Sequence, residues 1–309
     1  MPWKDGYTVS TEKSFFDGDV RWPAGYRCAF SITVDLSVAS GPKGIAASDL
    51  ASPKAQFGLR EGYARVKEAL DRFGLKATFA VPAVMARVQA RELRELTQGG
   101  HEIAAEGFKH EDPNGLSRAE EAERIALTLK ILADTTGRRP EGWFSLPRQG
   151  DPYGVGAISP NTMDLLIEAR FAWHGNGLAD DVPHHWVVDA AAKKSILTMP
   201  YYYHYDDQWF LLFPTKGTGL EHADSLFRNW RAEFAAQYRR GRHFHMTLHP
   251  YAVGFGHRIR LLETFLQFAV GHTGVWNATA SEVVAHWRTL EPAPRLEPAI
   301  WRDYPGSLS

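Results

Sequence analysis

YARVKEALDRFGLKATFAVPAVMARVQARELRELTQGGHEIA, Tyr63 to Ala104, decides the fold class. Apolar residues fall at Val66, Ala69, Leu70 and Phe73, the three-and-four spacing of an amphipathic helix, and Gly74 follows as its C-cap. KATFAV, Lys76 to Val81, is short and apolar and predicts a buried strand. VMARVQARELRELTQGG, Val84 to Gly100, reads as one further helix stopped by glycine, and HEIA opens the next strand. Helix and strand alternating at this pace predict parallel βα units.

The same alternation extends in both directions. Upstream, RCAFSITV (Arg27 to Val34) is a buried strand ending at Asp35, where a polar side chain emerges at the carboxyl end. The turn-rich residues 1–26 before it read as a surface arm, and a Gly, Ser and Ala-rich loop after it runs to about Gly58. Downstream, Ser117 and Glu120 form a capping box that opens a helix to Thr136. A strand near Gly142 to Ser145, a long loop from Pro147 and a helix from Asn161 to Ala169 follow. Ser195 to Phe213 alternates apolar and aromatic residues, of which Tyr201, Tyr202, Tyr203, Tyr205, Trp209 and Phe210 read as core and cleft wall. A helix from Leu220 to Arg240, the strand HFHMTLHP, a helix from Arg258 to Val270 and a last strand and helix in VWNATASEVVAHW complete the chain. The expectation is an α/β protein, a distorted or incomplete (β/α) barrel of about seven strands in a single domain spanning 1–309. Its site should lie at the carboxyl ends of the strands.

With 309 residues, 44% of them hydrophobic, the chain can bury a substantial core. Thirty-five Lys and Arg balance thirty-six Asp and Glu, so no strong field recruits a polyanion and nucleic acid is not an expected partner. The one cysteine, Cys28, cannot form an internal disulfide. The polar start lacks an apolar signal region, and no apolar run reaches the roughly 20 residues that span a bilayer. A cytoplasmic protein with no membrane partner is expected.

Chemistry concentrates in GHEIAAEGFKHEDP, Gly100 to Pro113. Glu106 and His110 are four apart, which on a helical turn points both to one side, able to grip a metal ion or a polar substrate. Asp35 and His249, in SITVDLS and MTLHPY, add a carboxylate and an imidazole at other strand ends. Each has a structural alternative: Asp35 could cap a turn, and Glu106 with His110 could be a solvated pair. His101 reads as structural, Asp180 and Asp181 as caps, and His184 and His185 as loop residues at a surface or subunit contact. Asp206 and Asp207, in HYDDQWF, divide between ligand contact and loop capping.

Several segments in order resemble the polysaccharide deacetylases, the NodB-homology group, and within it the cytoplasmic branch with deacetylase-like allantoinases. They are WPAGYRCAFSITVD, GLKATFAV, GHEIAAEGFKHED, SPNTMDLLIEARF, LADDVP, LHPYAVGFGHRIRLLETFL and VWNATASEVVAHW, and together they cover nearly the whole chain. The resemblance implies a hydrolase of a non-peptide C–N bond, removing an N-acyl group or opening a small cyclic amide or ureide. It implies Asp35 as the base that activates water, His249 as the acid that protonates the leaving nitrogen, and a homo-oligomer. It places Asp206 and Asp207 near the substrate cleft, with Glu106 as a further substrate contact.

The chain departs from the family at the metal site. Leu36 or Ser37 stands for the second aspartate and Glu106 for the first histidine, while His110 is kept. Phe144 lies near the place of the arginine that supports the base, and Arg148 from the same loop could reach in as a catalytic residue. Two mechanisms follow. In one, Glu106 and His110, with Asp35, hold a divalent metal such as zinc that polarises a carbonyl. In the other, no cofactor binds, Asp35 or Glu106 activates water, and Arg148 or His110 stabilises the oxyanion. The missing aspartate leaves few charges for a dication and leans toward the second. The alternative from another class is a catalytically inactive binding or scaffold protein of the same fold. A small amide or N-acyl compound is the expected partner in the first case.

Overall fold

The structure is a computed structural model that describes residues 8–10, 17–148, 156, 158–212 and 222–295. Among the described residues ten strands form one sheet: β1 (Thr8–Val9), β2 (Cys28–Asp35), β3 (Thr78–Val81), β4 (Glu102–Ala105), β5 (Gly142–Trp143), β6 (Trp173–Gly177), β7 (His184–Asp189), β8 (Lys194–Pro200), β9 (His243–Leu248) and β10 (Val275–Asn277). The order is β1-β7-β8-β6-β5-β4-β3-β2, with β9 and β10 also paired to β2. Because β9 runs beside Ala29–Val34, β10 and β3 must share the opposite edge of β2, one on each half. Every pairing is parallel except those of β7 with β8 and with β1.

The barrel is open between β8 and β9 among the described residues. There the His245 Nδ1–H donates to the Pro200 carbonyl, a side chain standing where a strand ladder would close the sheet. The parallel βα units match the sequence expectation. The antiparallel β7–β8 hairpin does not, and it corrects the reading of His184 and His185. Both lie on β7 and are buried, and His185 bonds Ser195 and Glu291 while its backbone N–H donates to Ser10. Polar residues on a strand covered from both sides gave no period to read.

Strand β2 explains how one segment serves both core and site. All eight of its residues are buried. Alternation sends Phe30, Ile32 and Val34 toward the helices, where Phe30 meets Phe234, Phe244 and Phe265 at centroid distances of 5.9, 5.9 and 6.1 Å. Each such ring stabilises the fold by roughly 2 kcal/mol through burial alone. Ser31, Thr33 and Asp35 take the other face, toward the barrel interior.

Helix boundaries follow the sequence with instructive exceptions. The capping box at Ser117 and Glu120 starts the helix Arg118–Thr136 as expected. The helix read over Val84–Gly100 is two, Ala83–Val88 and Ala90–Gln98, broken at Gln89, whose φ of −120° and ψ of 34° leave the helical region. The helix Tyr63–Arg72 is entered through a π turn, Gly58–Gly62. A Cβ on Gly58 would sit 2.7 Å from Cβ of Tyr251, and one on Gly62 would collide with the Pro250 carbonyl. The two glycines let this turn press onto the segment after β9. The arm is also corrected in part: Trp22 is buried against Trp276 and Trp287 and donates to the Gly241 carbonyl at 2.9 Å. Among the described residues no helix is long and apolar enough to cross a membrane.

Candidate active site

Asp35 ends β2, Glu106 follows β4, and His249 follows β9 as the N-cap of the short helix Pro250–Val253. The sheet therefore brings three residues far apart in sequence to neighbouring strand ends. His249 Nε2 lies 2.9 Å from Asp35 Oδ2, and its Nδ1 lies 2.8 Å from Asp207 Oδ1. The His249 backbone N–H also donates to both Asp207 oxygens at 3.0 Å, so one carboxylate fixes both ring and main chain. Asp206 accepts from Tyr201 Oη at 2.8 Å and from the Gln208 N–H at 2.9 Å, and Tyr251 Oη donates to Gln208 Oε1 at 2.8 Å.

The protonation state follows from the partners. A carboxylate only accepts, so both ring nitrogens of His249 donate, which makes it an imidazolium. Burial opposes that charge, but Asp206, Asp35 and Asp207 outweigh it and raise the imidazole well above its usual range. Asp35 is pulled the other way: burial raises its carboxyl, yet the His249 charge and hydrogen bond, with the Ser37 N–H at 2.5 Å, bring it to about 2. Burial, and then the charge of Asp207, lifts Asp206 to about 7. Glu106 is fully buried and rises well above the carboxylate range, first through burial and then through the charge of Asp35 beside it. Neither Glu106 oxygen receives a hydrogen bond, as a carboxyl that keeps its own proton would allow.

The Glu106–His110 pair meets without the helical turn that the spacing suggested. After β4 the chain turns through Gly107 (φ 76°) and His110 (φ 57°), left-handed conformations that bend the segment back on itself. His110 Nε2 still comes within 3.5 Å of Glu106 Oε1, but it bonds the Leu146 carbonyl at 2.8 Å. A carbonyl can only accept, so Nε2 carries a proton and offers no lone pair. Arg148 lies 3.8 Å from Asp112, at the far side of that turn.

These donors do not fit the zinc-like ion that the resemblance implies. His110 keeps a lone pair only at Nδ1, Leu36 is apolar, and Ser37 turns its N–H to Asp35. Among the described residues the one trio whose ligand atoms lie within 4.8 Å is Asp206, Asp207 and His249. Its atoms already take hydrogens from Tyr201, Gln208 and His249, where a cation would meet donors.

The structure brings Asp35, Glu106, His249, Asp206 and Asp207 together, and the two adjacent aspartates face His249 and are fully buried. Tyr201, Gln208 and Tyr251 were missed as site residues. Tyr251 stands two positions after His249, the only local signal for it. Asp180 and Asp181 correct the capping reading: both pair with Arg242, and Asp180 also accepts the Asp181 N–H. His101 is structural, its Nδ1 accepting the Ala77 N–H.

An open parallel barrel with its polar cluster at the carboxyl ends of the strands is the NodB type of distorted (β/α) barrel. Residues 53–154 match the family model described as polysaccharide deacetylase. The chain is 20% identical over 257 residues to a peptidoglycan deacetylase of Helicobacter pylori, an alignment covering 75% of this chain and 85% of the relative. A crystal structure of a putative polysaccharide deacetylase from Mycobacterium smegmatis superposes with a TM-score of 0.75 at 26% identity, covering 91% of this chain and 98% of that one. The structure of Puue allantoinase gives 0.73 at 22% identity, covering 88% and 93%. Over residues 53–154 the chain is similar to the polysaccharide deacetylases, and it shares the fold of the deacetylase and allantoinase structures.

Proposed function

We propose that this chain hydrolyses a non-peptide C–N bond in a small N-acyl or cyclic amide or ureide substrate, with Asp35 as base and His249 as acid. The observation that carries the reading is the His249 imidazolium held between Asp35 and Asp207, a charged acid beside an ionised base with both residues fully buried. The deacetylase relatives support hydrolysis at the level of the family.

Asp35 takes a proton from water as the oxygen attacks the carbonyl carbon, giving a tetrahedral intermediate. His249 then delivers its Nε2 proton to the nitrogen as the C–N bond breaks, leaving an acid and an amine. The proton held on Asp35 crosses the 2.9 Å contact to Nε2 and restores the pair. Asp207 keeps the ring in place throughout. A fully buried pair suits a substrate that can be enclosed rather than a polymer laid across a surface.

Wild type and Asp35→Asn assayed on a panel of N-acyl amines, cyclic amides and ureides test this. Turnover by the wild type, lost in the variant, is the expected result. No turnover across the panel would leave a binding protein as the better reading.

A further inference from the structure

Gln89 stands at the break between the helices Ala83–Val88 and Ala90–Gln98 and is 3% exposed. Neither Nε2 nor Oε1 of its side chain has a hydrogen-bond partner. A buried amide left unpaired at both ends is destabilising, so a polar occupant is called for. Gln89 lines a small cavity whose wall also includes Asp35, Ser37, Tyr251 and the π-turn residues Gly58 and Leu59. The space open to a water's centre is about 10 Å³, room for one water and too little for a substrate amide. Tyr251 donates its hydroxyl hydrogen to Gln208, whereas the Gln89 amide enters the lining with both polar atoms unpaired.

We propose that Gln89, together with Asp35, holds the single water that becomes the nucleophile. The assignment rests on the reading of Asp35 as base and adds a residue to it. The amide accepts one hydrogen of the water through Oε1 or donates to its oxygen through Nε2, while the second hydrogen points to the Asp35 carboxylate that removes it. The break in the helix at Gln89 is then a functional feature, since a continuous helix would carry this side chain elsewhere.

The test pairs a crystal structure with kinetics, using the whole chain and Gln89→Met, which keeps length and loses both polar atoms. In the wild type a water should lie within hydrogen-bonding distance of both the Gln89 amide and the Asp35 carboxylate, and the variant should lack it with its backbone unchanged. With a turned-over amide from the panel, kcat should fall on the order of 10- to 100-fold while KM stays within about twofold. A wild-type cavity without that water, a water that touches Gln89 but not Asp35, or a variant with undiminished kcat would each overturn the proposal. The crystallographic arm stands even if no substrate is found, so the failure of this proposal and the failure of the hydrolase reading are separable.

Discussion

His243 and His245 lie on β9 and His249 directly follows its end; all three are buried, yet they hold opposite charge states. His243 Nε2 meets Ser31 Oγ at 3.1 Å and His245 Nε2 meets Thr33 Oγ1 at 2.7 Å, so these rungs pair imidazole with hydroxyl. His249 meets the carboxylates of Asp35 and Asp207 instead. Without a counter-charge, burial drives His243 down to about 3 and His245 to about 4, and both are neutral. Three carboxylates reverse the outcome for His249. Depth in the barrel therefore does not decide whether a histidine is charged; the partner on the facing strand does.

The strongest way to break this contrast is to remove the charged rung. His249→Gln should lower kcat by on the order of 10²- to 10⁴-fold and, by leaving buried carboxylates uncompensated, destabilise the fold by about 3–5 kcal/mol. Denaturant titration and the amide panel read the two effects. In the wild type the His249 ring resonances should not titrate through the neutral range, whereas Asp207→Asn should bring their midpoint down; an unchanged midpoint would contradict the clamp.

The interior rungs should govern acid stability. His174, His184, His243 and His245 are all held below the ordinary 6.5, at about 3, 4, 3 and 4, through burial first. Above 6.5 both folded and unfolded chains keep these rings neutral. Below it the unfolded chain takes up protons that the folded one refuses, so stability falls from 6.5 down toward 4, by roughly 3 kcal/mol per histidine at the end of that window. Asp35 adds a loss of its own as pH falls from its ordinary 3.8 toward 2. Asp206 and Glu106, whose raised carboxyls hold protons in the folded chain, act in the opposite sense, so urea midpoints of the wild type and His243→Asn measured against pH isolate the histidine effect; a difference that stays constant between 7 and 4 would count against it.

Two smaller effects sharpen the contrast. Gly62→Ala should force the π turn away from Pro250, destabilising by about 1–3 kcal/mol and lowering kcat through displacement of His249. His243→Asn should cost about 1 kcal/mol of stability while leaving kcat per folded molecule unchanged, because its hydroxyl partner has no place in the reaction. Thermal melts with kinetics on the same samples separate the two.

Much of the site was legible because it stands where strands end. Asp35 closes an apolar run and His249 closes another, so the barrel reading alone put them together. Glu106 and His110 were found as a pair, but the turn joining them was not: left-handed geometry at a histidine is imposed by its surroundings and leaves no periodic trace. Asp206 and Asp207 were singled out through the family resemblance, yet the bond of Asp207 to His249 joins residues 42 positions apart. Gln89 lay inside a good helical period, and that period concealed the break. The β7–β8 hairpin escaped because its buried histidines read as polar loop residues.

Local sequence determined the alternation of helix and strand, the capping box at Ser117, the buried strand through Phe30, Ile32 and Val34, and the polar residues at the strand ends. Those features depend on propensity and period within a few residues of one another. Only the tertiary structure decided which carboxylate faces which imidazole, that His249 is charged while His243 and His245 are neutral, and that Glu106 is driven toward its protonated form. Charge in a buried site is set by distances across strands and by the exclusion of water, and neither is written in the spacing of residues along the chain.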